Sequence, residues 1–155
     1  MSKIQFKPII LKQITATLLF LCFIFCSIAS AKSKFKNETE AYQSAKKSYQ
    51  KFKEENRYHK YRERWIQTIN QFLLVAAHYP KGKYAADSLY LAGTMYMDLY
   101  RLSFVTDDLQ QAKLYFDDLI RRFPKSRYAD DGWFYKGQIQ LKLRSHAQAE
   151  FAFQQ

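Results

Sequence analysis

The sequence predicts an all-α chain of stacked helical hairpins, about three helix pairs, and three observations carry that prediction. First, Tyr79–Gly93 recurs 44 residues later as Phe123–Gly137, with Pro, Lys, Tyr, Ala, Asp and Gly identical at six of fifteen aligned positions. Self-similarity at a fixed period marks units that bury their apolar faces on one another. Second, apolar residues follow helical spacing from about Ala41 onward, and no segment alternates with period two. Third, Pro80 and Pro124 stand at the ends of helical stripes, where a proline stops a helix.

Taken in order, the helices are as follows. Asn37 with Glu40 is a capping pair that opens helix one, whose stripe is Ala41, Tyr42, Ala45, Tyr49 and Phe52. Helix two carries Tyr58, Tyr61, Trp65, Ile69, Phe72, Ala76 and Tyr79 and stops at Pro80. Helix three runs from about Tyr84 to Tyr100 with Leu89, Ala92, Gly93 and Tyr96 on one face. A polar connection, Arg101 to Thr106, leads to Asp107 and Gln110, a second capping pair, and helix four presents Leu109, Ala112, Phe116, Leu119 and Ile120 before Pro124. Helix five spans roughly Tyr128 to Leu143. Ser145 with Gln148 then opens a last helix carrying Ala149 and Phe153, and no stop signal follows before Gln155.

The first 31 residues read differently. Lys3, Lys7 and Lys12 precede an uncharged run from Gln13 to Ala31 that ends in the small-x-small site Ala29-Ser30-Ala31. This is the layout of a secretory signal peptide with cleavage after Ala31, which places the chain across the inner membrane, in the periplasm. An uncleaved anchor is the alternative, since the run is nearly long enough to span a bilayer. A short basic linker, 32–36, separates the leader from a helical domain at 37–155 whose last unit reads as truncated.

Both cysteines, Cys22 and Cys26, lie in the leader, so the mature chain has no disulfide, thiolate site or cysteine nucleophile. After cleavage 22 Lys and Arg face 14 acids, and residues 32–66 hold 11 of those cations against 5 acids. That basic segment is read first as a solvated helix face, with peptidoglycan or an anionic surface as its other use. In an exported protein nucleic acid drops out as a partner.

Chemistry is sparse. Asp107-Asp108, Asp117-Asp118 and Asp130-Asp131 are adjacent acids that point about 100° apart on a helix, so they do not face one another across a substrate. Their expected role is helix-end electrostatics. His59, His78 and His146 have no ligand spacing, so no metal or cofactor is expected in this chain. A binding face is the remaining option. The outward positions of helices three and five include Tyr90, Thr94, Met97 and Asp98, then Phe134, Gln138 and Leu141, and these are the groove candidates.

Leu89, Gly93, Tyr96, Ala112, Phe116 and Pro124, then Trp133, Gly137, Ala149 and Phe153, resemble the tetratricopeptide repeat, with Lys136 and Gln140 departing from it. That resemblance implies a hairpin solenoid in which the first helix of each pair lines a groove for a protein or peptide. The stretches Lys60–Trp65, Ala85–Gly93, Asp107–Ala112 and Arg122–Asp131 are similar to the N-terminal region of exported N-acetylmuramoyl-L-alanine amidases. Such enzymes carry a zinc-dependent catalytic domain downstream, so the resemblance implies zinc only beyond this chain. A free-standing periplasmic adaptor for outer-membrane assembly or cell division is the other reading.

Overall fold

The computed structural model describes residues 36–155, so the leader and residues 32–35 of the linker lie outside the described residues. The described chain forms six α-helices and no strand: α1 Glu38–Glu54, α2 Arg62–His78, α3 Ala85–Ser103, α4 Thr106–Arg122, α5 Ala129–Lys142 and α6 His146–Phe153. Each helix packs on the next in sequence. The core is one continuous cluster in which Ile69, Phe72, Met95, Leu109, Phe116, Leu119 and Ile139 are fully buried.

α1 begins where its capping pair predicts. Asn37 Oδ1 accepts the Glu40 N–H at 2.9 Å, and the Glu40 carboxylate accepts the Lys36 N–H at 2.9 Å. α2 differs from expectation at its start. Tyr58 closes a short 3₁₀ turn, Asn56–Tyr58, and the helix opens only at Arg62. The turn is held by Trp65 Nε1 donating to the His59 carbonyl at 2.8 Å, while the His59 ring packs against Phe52. Helical spacing of Tyr58 and Tyr61 therefore continues through a bend.

The sequence duplication becomes a duplicated junction. Gly82 N–H donates to the Tyr79 carbonyl at 2.9 Å, and Ser126 N–H donates to the Phe123 carbonyl at 2.9 Å. Ser88 N–H to Tyr84 and Gly132 N–H to Tyr128 are likewise both 2.9 Å. One capping device is not duplicated. The Glu38 carboxylate accepts the Lys83 and Tyr84 N–H groups, at 3.2 and 2.6 Å, so an acid on α1 caps the start of α3.

Between α3 and α4 the polar connection shrinks to Phe104 and Val105. Gly93 is followed by ten further helical residues to Ser103, whereas Gly137 is followed by five to Lys142. The greater length of the second pair thus lies in its helices. Phe104 takes a left-handed conformation, φ 54°, to make the turn. Asp107 does not cap: Val105 is the N-cap and offers no side-chain acceptor. Ser103 Oγ takes that part, accepting the Val105 N–H at 3.1 Å and donating to Asp108 at 2.8 Å. Ser145 likewise makes no side-chain cap at α6.

Two glycines fix how closely helices meet. A Cβ on Gly93 would stand 2.8 Å from Phe116 Cζ, and one on Gly137 would meet Phe153 at 2.6 Å from Cζ. The same large ring fills the space a side chain would need, once in α3–α4 and once in α5–α6.

Candidate functional site

The first helices of the pairs, α1, α3 and α5, communicate through side chains. Tyr42 of α1 stacks on Tyr84 with ring centroids 4.2 Å apart and planes within 4°, and its hydroxyl donates to Asp87 of α3. Tyr90 of α3 stacks on Tyr128 at 4.5 Å and 18°. Within each pair the same three positions meet the partner helix: Tyr42–Phe72 at 6.3 Å, Tyr90–Phe116 at 6.4 Å and Phe134–Phe153 at 6.0 Å. Offset and edge-on geometries of this kind suit the aromatic quadrupole.

Those contacts sort the groove candidates. Tyr90 is half-buried among Phe116, Tyr128 and Tyr135, and burial pushes its phenol well above the usual range, helped by a hydrogen bond with Tyr135. It is a seam residue more than a free contact. Met97 is a correction: it is 2 % exposed and joins the core, because α3 has neighbours on several sides and only a narrow stripe reaches solvent. Thr94 is half-buried and returns its hydroxyl to the Leu91 carbonyl at 3.1 Å. Asp98 lies one turn further on, paired with Arg101 at 2.6 Å. Burial raises the Asp98 carboxyl above its usual range, against the pull of Arg101. Phe134, at 51 % exposed, and Leu141, at 45 %, flank a partly exposed Gln138 on α5.

The structure adds one member, Tyr49, that sequence reasoning placed elsewhere. Tyr49, read as part of the α1 stripe, is partly buried; burial and then the Asp98 charge raise its phenol. Lys142 lies over the Tyr100 ring at 6.0 Å, tying α5 to α3. The face therefore runs from Tyr49 through Thr94 and Asp98 to Gln138, with a carboxylate near its middle and apolar side chains at its α5 end.

The basic N-terminal third contributes a shallow groove of about 190 Å³ between α1 and α2, lined by Ser48, Lys51, Tyr58, Arg64, Gln67 and Gln71 among others. No carboxylate lines it. Arg64 lies 5.1 Å from the Tyr58 ring centroid and donates to Gln67 at 3.2 Å.

Two of the acid pairs divide between different surroundings, as residues about 100° apart on a helix do, while Asp130 and Asp131 are both exposed. Asp117 accepts from Lys113 of its own helix and Lys136 of α5, each at 2.7 Å. Asp118 accepts from Arg121 and Arg122. Asp107 is exposed while Asp108 is fully buried, where Arg62 reaches it with two bonds of 2.6 Å. The Asp107-Asp108 doublet is thus more than helix-end electrostatics: its second member joins α4 to α2. His59 packs against Phe52 and Trp65, and the His78 ring lies 2.9 Å from the Leu74 carbonyl. Among the described residues no group of three His, Cys, Asp or Glu is placed to hold a metal, and no helix is long and apolar enough to cross a membrane.

No protein-family model matches the chain, and neither the curated proteins nor the solved structures contain a significant match.

Proposed function

We propose that this chain is an exported scaffold of the tetratricopeptide type, which binds a protein or peptide segment of the cell envelope along the α1–α3–α5 face. The observation that carries the reading is the duplicated seam. Tyr42 on Tyr84 and Tyr90 on Tyr128 set successive pairs side by side with nearly the same ring geometry. First helices joined in that way form a shared surface, which is how stacked hairpins present extended binding faces. Along it Thr94, Asp98, Phe134, Gln138 and Leu141 reach solvent in part or in full. A half-exposed carboxylate beside apolar side chains suits a partner segment that brings a cation and a hydrophobic residue. The leader, with its Ala29-Ser30-Ala31 site, supports export to the periplasm.

The cell-wall context rests on residues alone. Lys60–Trp65, Ala85–Gly93 and Arg122–Asp131 support placing this module at the N-terminal side of a peptidoglycan amidase, whose zinc chemistry would reside in another domain. Reading the gene past the Gln155 codon tests this: an open frame into a zinc amidase domain supports it, and a stop codon removes it. The binding face is tested by face-specific cross-linking, described at the close of the Discussion.

A further inference from the structure

We propose that the α3–α4 turn is a membrane-docking tip. Leu102, Phe104 and Val105 enter the interface of an anionic lipid bilayer, and cations of the flanking turns rest on its headgroups. This surface lies at one end of the helical pairs and is separate from the α1–α3–α5 face.

Residues 102–106, Leu-Ser-Phe-Val-Thr, carry no charge, and Leu102, Phe104 and Val105 are all exposed. α3 runs ten residues beyond Gly93 to Ser103, whereas α5 runs five beyond Gly137, so this turn stands about 7 Å further along its helix. It belongs to the middle pair, which has a helix of another pair packed on each side. Its exposure therefore does not come from standing at either end of the stack.

Phe104 sharpens the case. A φ of 54° is strained for a residue with a Cβ, yet its ring gives the fold only an edge-on contact with Tyr100 at 6.2 Å. A strained, exposed aromatic that contributes little to the core points to a use outside it.

Charge selects the occupant. Asp108, bonded to both Arg62 and Ser103, holds the α1–α2 connection against the α3–α4 turn. Lys142, over the Tyr100 ring, brings the α5–α6 connection alongside. The three connections with three residues on each side, 52–64, 101–108 and 140–148, hold eight Lys and Arg against five acids. One of those acids, Asp108, is buried, and the acid beside it, Asp107, acts on Arg62. Lys60, Arg64, Lys142 and Arg144 take part in no ion pair among the described residues. Tyr61, half exposed with Lys60 over its ring at 5.1 Å, is an amphipathic side chain of the kind that sits at headgroup level. Apolar side chains inside a cationic rim match an acyl boundary beneath anionic headgroups. The opposite end has cations as well, among them Lys81, Lys83, Lys125 and Arg127, but its Tyr79, Tyr84, Phe123 and Tyr128 are packed against the core.

The test uses the exported full chain with Cys22 and Cys26 changed to Ser and one new cysteine, Val105→Cys or Lys125→Cys, carrying an environment-sensitive dye. On vesicles rich in phosphatidylglycerol the dye at 105 should shift to the blue and be quenched by spin-labelled acyl chains, and the dye at 125 should not. Leu102→Ser with Phe104→Ser should weaken binding read at 105 at least about tenfold. Lys60→Ala should weaken it about fivefold, as loss of one cation at an anionic surface does. Circular dichroism on each variant separates lost docking from lost folding. Attachment through the leader alone would leave the two dyes alike. No quenching at 105, equal quenching at 105 and 125, or a response unchanged by Leu102→Ser with Phe104→Ser overturns the proposal. Each of those results leaves the α1–α3–α5 face untouched, since cross-linking at Thr94 and Asp98 reads it separately.

Discussion

Arg62 and Asp108 stand 46 positions apart and are joined by two parallel N–H···O bonds of 2.6 Å, with the Asp108 side chain fully buried and the Arg62 side chain 43 % exposed. The bidentate bond to Asp108 raises the Arg62 pKa further above its usual value. Ser103 supplies the third bond to the same carboxylate. One side chain from the start of α2 thereby fixes the start of α4. Arg62→Ala strands a buried carboxylate and should destabilise the fold by about 2 kcal/mol, less than the roughly 3–5 kcal/mol of a fully buried pair because water reaches Arg62. Arg62→Lys, which replaces the fork with a point charge, should fall between. Urea unfolding with an unchanged slope checks both.

The two small positions on helix faces should respond in opposite senses. At Gly93 a methyl group meets the Phe116 ring, which is fully buried and has nowhere to move. Overpacking costs about 1–3 kcal/mol, more than the roughly 1 kcal/mol that alanine gains in helix propensity. Gly93→Ala should therefore destabilise. At Gly132 the nearest atom is Ile120 Cγ1 at 3.1 Å, on a side chain that can turn aside. Gly132→Ala should be neutral or stabilising by up to about 1 kcal/mol, and thermal melts of the pair would show the contrast.

Phe104 makes the α3–α4 turn in a left-handed conformation, φ 54°, with 76 % of its surface exposed. Its one aromatic contact is an edge-on approach to Tyr100 at 6.2 Å. A non-glycine residue there costs about 1–2 kcal/mol of backbone strain. Phe104→Gly should recover part of that and raise the melting temperature, and a fall would show that the ring packs more than its exposure implies.

Two carboxylates respond to acid with opposite signs. Burial works to raise Asp117, but the hydrogen bonds and charges of Lys113 and Lys136 outweigh it and hold the group below its usual range. Its stabilisation is present above the unfolded value near 4 and is lost as pH falls through the lower folded value. Asp98 is raised by burial, so it favours the fold fully below about 4 and loses that contribution as pH rises through its folded value. Asp117→Asn should therefore lower the melting temperature near neutrality, and Asp98→Asn should raise it. The Asp98 difference should vanish once pH falls below about 4, whereas the Asp117 difference should only begin to shrink there and should persist further into acid.

These elements also show how far the sequence could be read. Helix positions, the prolines, and the Gly93–Phe116 and Gly137–Phe153 spacings were legible because they depend on local periodicity and on volume. The start of α2 was not, since Trp65 Nε1 reaching the His59 carbonyl is a contact that no period encodes. Arg62 with Asp108 and Glu38 with the Tyr84 N–H each span 46 residues and leave no local trace. Lys136 and Gln140, which depart from the expected apolar positions, find different solutions. Lys136 binds Asp117 and lies over the Trp133 ring at 4.6 Å, and Gln140 is buried at 3 % exposure. Of the groove candidates, Met97 failed because a helix packed on several sides leaves a narrower free stripe than a single amphipathic pattern suggests.

The central claim is that the α1–α3–α5 face is the binding surface. Photo-activatable side chains placed at Thr94, Asp98 and Gln138, and at the exposed Leu74 and Leu114 on α2 and α4, test it directly in intact cells exporting the full chain. The account predicts discrete adducts from Thr94, Asp98 and Gln138, and none from Leu74 or Leu114. Adducts confined to Leu74 and Leu114, or equal from all five positions, would contradict it.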